Sequence, residues 1–174
     1  METLEAIKTR RSTRNYKPEQ LPENVLQQIL NAGFAAPVAM ANYKSLHITV
    51  VQNQEYLDKI NTVAEESIFK ITGVRESHDF GAKTLILVSS TPVHRPGTEY
   101  INVGIVMENM VLAATDMGVD SVILGAAPAA VAQDASLVRA LGIPEGYKPM
   151  VGAFFGYGAE ETPVTKHTIA VNRI

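Results

Sequence analysis

The densest group of charged side chains lies near the start of the chain, between Lys8 and Lys17. This stretch, KTRRSTRNYK, carries five cations in ten residues, although the 174-residue chain has a formal net charge of −3. A phosphate group needs several fixed donors, and arginine side chains with a serine hydroxyl provide them. The spacing Arg-Arg-Ser-x-Arg therefore suits one bound phosphate. A solvated basic surface is the alternative, and composition alone favours it.

Other kinds of site find little support in the composition. There is no cysteine, which excludes disulfides, thiolate catalysis and cysteine-ligated metals. The four histidines lack metal-ligand spacing, so we predict no metal site. The pair Gly156 and Gly158 lacks the third glycine of a dinucleotide-binding fingerprint.

The charge balance and the apolar pattern also bear on partners and location. The acidic net charge gives no reason to expect binding to nucleic acid or to an anionic membrane. No apolar stretch approaches the length of a membrane span, and the first residues show no signal-peptide pattern. We therefore expect a cytoplasmic protein.

The elements that must position the basic segment follow from apolar spacing. The length fits one domain over residues 1–174. Helices are predicted over about 3–9, 22–33, 56–71, 101–117 and 134–141, and strands over about 46–50, 85–88, 119–124 and 150–155. A last extended piece at 168–171 needs a segment to pair with, such as one from a neighbouring subunit. Alternation of helices and strands by itself suggests a parallel α/β sheet.

The predicted helix over 101–117 has an unusual composition. Residues 105–114 leave almost no polar face. A helix that is apolar all round is buried on all sides. In a chain this small, we expect a second subunit to provide part of that burial.

Several short motifs, taken in chain order, resemble the nitroreductase family of flavoproteins. Residues 1–16 have the family's short opening helix, then Arg-Arg-Ser-x-Arg and an aromatic residue. Residues 35–42 resemble its Ala-Pro-Ser-x-x-Asn loop, although Val38 replaces Ser or Thr and no Gln-Pro-Trp follows. Residues 107–114 resemble its central helix, 117–121 the turn after it, and 123–125 the strand end at the flavin edge. Residues 156–158 then lead into a basic tail.

This resemblance implies a site for non-covalently bound FMN, assembled from several parts of the chain. The phosphate and ribityl chain would be held by Arg10, Arg11, Ser12 and Arg14. The isoalloxazine ring would be lined from the other subunit by Pro37, Val38, Ala39, Met40 and Asn42. Leu124 and Gly125 would bring backbone groups near flavin N5, and Lys166 and His167 would complete the phosphate site from the tail.

The resemblance also implies a fold and an activity. The fold is α+β, a three-layer sandwich with a central mixed sheet flanked by helices, in an intertwined homodimer that exchanges C-terminal tails. The activity is hydride transfer from NAD(P)H, a transient co-substrate, through flavin N5 to a small conjugated electrophile of nitroaromatic or quinone type, in ping-pong order. No catalytic side chain is expected, because the flavin carries the chemistry. The alternative is a non-catalytic dimer that binds or sequesters flavin or another phosphorylated ligand.

Overall fold

The computed structural model describes residues 2–75, 77–165 and 167–174. Its helices are α1 (Thr3–Thr9), α2 (Glu23–Phe34), α3 (Gln54–Thr72), α4 (Thr98–Asp116), α5 (Ala126–Gln133) and α6 (Ala135–Ala140). Its strands are β1 (Leu46–Val51), β2 (Thr84–Ser90), β3 (Asp120–Leu124) and β4 (Lys148–Gly156). Two short 3₁₀ turns, Ala39–Ala41 and Tyr43–Ser45, lead into β1.

Within the described residues, four strands form one sheet in the order β1-β2-β4-β3, and every neighbouring pair is antiparallel. The parallel sheet suggested by the alternation of elements is therefore wrong. The pattern misleads because α3 joins β1 to its antiparallel neighbour β2, whereas an intervening helix usually joins parallel strands. A single parallel contact accompanies the described sheet, an isolated bridge between Ser12 and Ser121 beside β3.

Helices cover both faces of this sheet. Strand β2 is buried along its whole length, and its side chains alternate between the two faces. Ile86 and Val88 lie in a core with residues of α2 and α4. Leu85 and Leu87 lie in a second core with residues of α3, α5 and α6. The predicted three-layer α+β sandwich is therefore confirmed, although its described sheet is antiparallel and not mixed.

Helix α4 packs against the sheet, but not on every side. Ile101 is 61% exposed, Gly104 and Glu108 are exposed, and Ile105 is half-buried. A single chain therefore buries only part of this helix, and the expected burial of the rest by a second subunit stays a prediction. These four residues recur at intervals of three and four, so they share one side of the helix. We call Ile101, Gly104, Ile105 and Glu108 the α4 face.

The extended piece predicted at 168–171 belongs to no strand of its own chain. Ile169 and Val171 are 88% and 76% exposed. Two apolar side chains near the end of the chain are therefore largely exposed to solvent.

The described ranges contain neither a membrane-spanning helix nor a cluster of metal ligands. None of the helices there is long and apolar enough to cross a membrane. No group of three or more potential ligands among those residues is arranged to hold a metal ion.

Candidate functional site

The basic segment leaves α1 at Arg10, whose backbone turns to an extended conformation with φ −53° and ψ 133°. It then runs beside the sheet and is held there by backbone hydrogen bonds. The Thr13 N–H donates to the Ser121 carbonyl of β3 at 3.0 Å. The Lys17 N–H donates to the carbonyl of Tyr157, just after β4, at 2.8 Å. The segment is thus fixed to the scaffold at both ends.

Arg11 is committed to a contact within the protein. Its Nε lies 3.2 Å from Asp120 Oδ1, and the two side chains are 31% and 19% exposed. The other oxygen, Asp120 Oδ2, accepts a hydrogen bond from the Gly158 N–H at 3.0 Å. A Cβ at Gly158 would lie 2.7 Å from that oxygen, so the close approach requires glycine. Asp120 therefore ties the basic segment, β3 and the chain after β4 together.

The remaining polar groups of the segment are much freer. Over the described ranges, the side chains of Arg10 and Ser12 make no hydrogen bond or ion pair. Arg14 Nη1 donates only to the Ser12 carbonyl, at 3.3 Å. A cavity of 180 Å³ borders Arg10 and Arg11. Asp120 also lines this cavity, whereas Ser12 and Arg14 do not. The donor groups of Arg10, Ser12 and Arg14 are of the type that a phosphate dianion needs, so their chemistry fits the phosphate of FMN.

Tyr16 closes the segment against the sheet. It is buried, and its hydroxyl has no hydrogen-bond partner among the described residues. A Cβ at Gly156 would lie 3.0 Å from the Tyr16 ring, so glycine leaves room for the aromatic side chain. Burial raises the pKa of the Tyr16 hydroxyl strongly; the negative charge of Asp120 adds to this rise, and the positive charge of Arg14 opposes it. The phenol is therefore neutral.

Strand β3 links the basic segment to a second open surface. Ser121, next to Ser12, lies three residues before Leu124, or about 10 Å along a strand. Gly125 follows as the N-cap of α5 with an ordinary φ of −89°. A Cβ at Gly125 would meet nothing within 4 Å. Neither backbone conformation nor packing in this chain calls for glycine there, so the strand end is left clear for an approaching group.

The loop at 37–42 is mostly exposed, and a hydrogen bond anchors it to α4. Met40 and Ala41 adopt left-handed backbone conformations, with φ 55° and 52°, and Met40 is 97% exposed. Asn102 on α4 is buried, and its Oδ1 accepts a hydrogen bond from the Ala39 N–H at 3.1 Å. Val38 is buried in the protein core. Non-glycine residues in the left-handed region cost free energy, and such strain is often found at ligand sites.

A single chain does not bring all the predicted residues together. The loop at 37–42 enters β1 at one edge of the sheet, whereas Leu124 ends β3 at the opposite edge. Three inter-strand spacings, about 14 Å, separate those edges. His167 is exposed in the tail, and Lys166 lies outside the described residues. The structure thus joins the Arg10–Arg14 group with Leu124 and Gly125 through β3, but not with the loop at 37–42.

Two residues that position the site, Asp120 and Asn102, were not predicted from the sequence. Asp120 reads as an ordinary polar residue at the start of a strand, and its contact with Arg11 spans 109 positions of sequence. Asn102 lies between Ile101 and Val103 near the start of α4, and a polar residue between two apolar ones was the available signal. A buried amide needs a hydrogen-bond partner.

The fold and this arrangement define a flavoprotein-like α+β sandwich, and comparison with known proteins identifies the family. The family model described as Nitroreductase family matches residues 7–157. The chain therefore belongs to the nitroreductase family, as its motifs predicted.

Individual relatives agree with this assignment. One relative is a protein of Methanothermobacter thermautotrophicus that is provisionally named NADH dehydrogenase/NAD(P)H nitroreductase. The two sequences are 31% identical over 181 residues, and the alignment covers 100% of this chain and 86% of the relative. A nitroreductase of Bacteroides fragilis solved with bound FMN is 30% identical, with a TM-score of 0.82, covering 100% of this chain and 97% of that one. A Desulfitobacterium hafniense nitroreductase, 24% identical with a TM-score of 0.85, covers 99% of this chain and 100% of its own, and supports the fold.

Proposed function

We propose that this nitroreductase-family protein is an FMN-dependent NAD(P)H oxidoreductase that works as a homodimer. Its acceptors would be small conjugated electrophiles of nitroaromatic or quinone type. The observation that carries the proposal is the pair of open surfaces on β3. Uncommitted cationic and hydroxyl donors lie near Ser121, and an unobstructed glycine lies at the other end of the strand.

This geometry assigns different tasks to the two ends of the strand. Arg10, Ser12 and Arg14 would bind the FMN phosphate and the adjoining ribityl chain, while Arg11 holds the segment in place through Asp120. The backbone at Leu124 and Gly125 would face the ring edge. The redox chemistry is supplied by FMN when it is bound, through hydride transfer at N5. Donor and acceptor would use the same surface in turn, so we expect ping-pong kinetics.

The dimer supplies what a single chain lacks. The α4 face leaves apolar surface in solvent, including Ile101 at 61% exposure. Packing this face against a second copy would bring the 37–42 loop of one chain to the other chain's strand end. The tail would cross as well, bringing Lys166 and His167 to the phosphate site. Its exposed Ile169 and Val171 would then gain cover.

The absorption spectrum of the purified protein tests the cofactor assignment. We expect a flavin spectrum after purification or after adding FMN, and bleaching by NADH or NADPH without oxygen. Protein that stays colourless with excess FMN would refute the proposal. Bound FMN that neither nicotinamide reduces would instead establish the alternative, a flavin-sequestering dimer.

An Arg10→Ala variant tests the phosphate site itself. Losing a charge-assisted hydrogen bond should cost about 1.5–3 kcal/mol of binding free energy, or roughly 10- to 150-fold in Kd. Arg139→Ala is the matched control, because Arg139 is exposed near the end of α6 and does not line the cavity beside Arg10. Equal FMN dissociation constants for the two variants would show that Arg10 is only a surface residue.

Gly104 tests the dimer through the α4 face. A Cβ at Gly104 meets nothing within 4 Å, so a single chain can accept a large side chain there. Gly104→Arg should therefore fold, yet shift the protein to monomer in light scattering and weaken FMN retention. Gly104→Ala should remain dimeric. A Gly104→Arg protein that is still dimeric and yellow would contradict this interface.

A further inference from the structure

A second cavity opens directly beside Gly125. It has a volume of 310 Å³ and lies between α5, the start of β4 and the first turn of α4. Tyr100, Gln133, Lys148 and Met150 line it together with Gly125. We call it the Lys148 pocket. Its size is at the lower end for small-molecule sites, which suits one or two conjugated rings and is too small for a whole dinucleotide.

The polar side chains of the Lys148 pocket have no partners among the residues that the structure describes. Within the described ranges, the side chains of Lys148, Tyr100 and Gln133 make no hydrogen bond, ion pair or ring contact. No Asp or Glu lines the cavity. An ammonium group, a phenol and an amide therefore surround a space without any negative charge.

The Lys148 pocket also has apolar and aromatic walls. Met150, Pro149 and two alanines of α5 give the pocket apolar walls. Tyr100, which is 64% exposed, adds an aromatic ring on which a flat conjugated system can stack. A ligand that matches this pocket has an apolar, planar body and one anionic group for Lys148.

We propose that the Lys148 pocket is an acceptor subsite that favours conjugated acceptors carrying a carboxylate. The inference rests on the proposed oxidoreductase function, because it places the acceptor next to the strand end at Gly125. Lys148 would bind the carboxylate, Gln133 would donate a further hydrogen bond, and Tyr100 would pack on the ring. The pocket adds binding and selectivity and no chemical step.

Binding of unreactive acceptor analogues tests the subsite apart from turnover. Fluorine NMR near neutral pH would compare para-trifluoromethylbenzoate with the uncharged para-trifluoromethylbenzamide, using the FMN-loaded protein. We expect the benzoate to bind more tightly and this preference to vanish in Lys148→Gln. Lys70→Gln is the control, because Lys70 is an exposed lysine near the end of α3.

Turnover gives the second readout. With para-nitrobenzoate, Lys148→Gln should lower kcat/KM by about two- to fivefold, the range expected for an exposed charged contact. With para-nitrobenzamide, kcat/KM should not change, and neither should reduction by NAD(P)H. Equal binding of benzoate and benzamide to the wild-type protein, or an unaltered preference in Lys148→Gln, would overturn the subsite. A wild-type protein that does not bind FMN, or whose bound FMN is not reduced by NAD(P)H, would refute the proposed oxidoreductase function itself.

Discussion

Replacing Arg11 and Asp120 by alanine, singly and together, measures how firmly the basic segment is held to β3. Their side chains are only 31% and 19% exposed, with Nε and Oδ1 3.2 Å apart. Exposed ion pairs couple by about 0.2–1 kcal/mol, whereas removing one partner of a fully buried pair costs about 3–5 kcal/mol. For this intermediate burial we expect a coupling free energy of about 1–2 kcal/mol.

The two single variants should differ in a defined direction. Asp120→Ala also removes the acceptor of the Gly158 N–H, and a lost hydrogen bond costs about 1 kcal/mol. Asp120→Ala should therefore destabilise the protein more than Arg11→Ala. The assay is urea unfolding of the FMN-free protein at one fixed concentration, because bound ligand and dimerisation would otherwise shift the apparent stability.

The chain contains its own control for this double-mutant cycle. Lys59 and Glu55 on α3 form an ion pair with a shorter N–O distance of 2.7 Å, but both side chains are largely exposed. If partial burial rather than distance sets the strength, the Arg11–Asp120 coupling must be clearly larger. A coupling no greater than that of Glu55 and Lys59 would refute the reasoning.

Two pH dependences follow from other groups. Burial raises the pKa of Tyr16, so the stability that its neutral phenol contributes is complete below the unfolded pKa near 10 and is lost as the pH rises further. In urea unfolding from about pH 9 to 11, the free energy of unfolding of Tyr16→Phe should therefore fall less steeply with pH than that of the wild type. Equal slopes for the two proteins would contradict this. Hydrogen bonds from the Ser136 hydroxyl and from two backbone N–H groups hold the pKa of Asp134 below its usual 3.8, so its contribution is present above pH 3.8 and is lost as the pH falls through the lower folded value. An NMR titration of the Asp134 carboxyl checks this, and a midpoint at or above 3.8 would exclude it.

The sequence predicted the elements whose pattern is local. The run at 85–88 is short, apolar and rich in branched residues, and it lies in β2. Helix α5 was missed because AAPAAVAQ has no polar face, and Pro128 reads as a helix breaker. Pro128 in fact lies in the first turn of α5, where its missing N–H costs nothing.

Long-range contacts could not be predicted in the same way. The basic cluster indicated a phosphate site only together with the family resemblance. Which of its arginines is free to bind phosphate depends on Asp120, because Asp120 pairs with Arg11. That residue lies 109 positions from Arg11, and no local pattern links the two. The prediction of parallel strands was wrong for a similar reason, because a helix between two strands does not reveal whether the second strand runs parallel or antiparallel to the first.

The two outer strands of the sheet differ in what lies beside them, and this has a consequence for handling the protein. Along β3, Ser12 and Thr13 occupy the outer edge through the bridge and hydrogen bond to Ser121. Along β1, no described strand pairs on the outer side. A bare edge of this kind is a template for intermolecular pairing. Aggregation during refolding should therefore begin at β1 and increase with protein concentration.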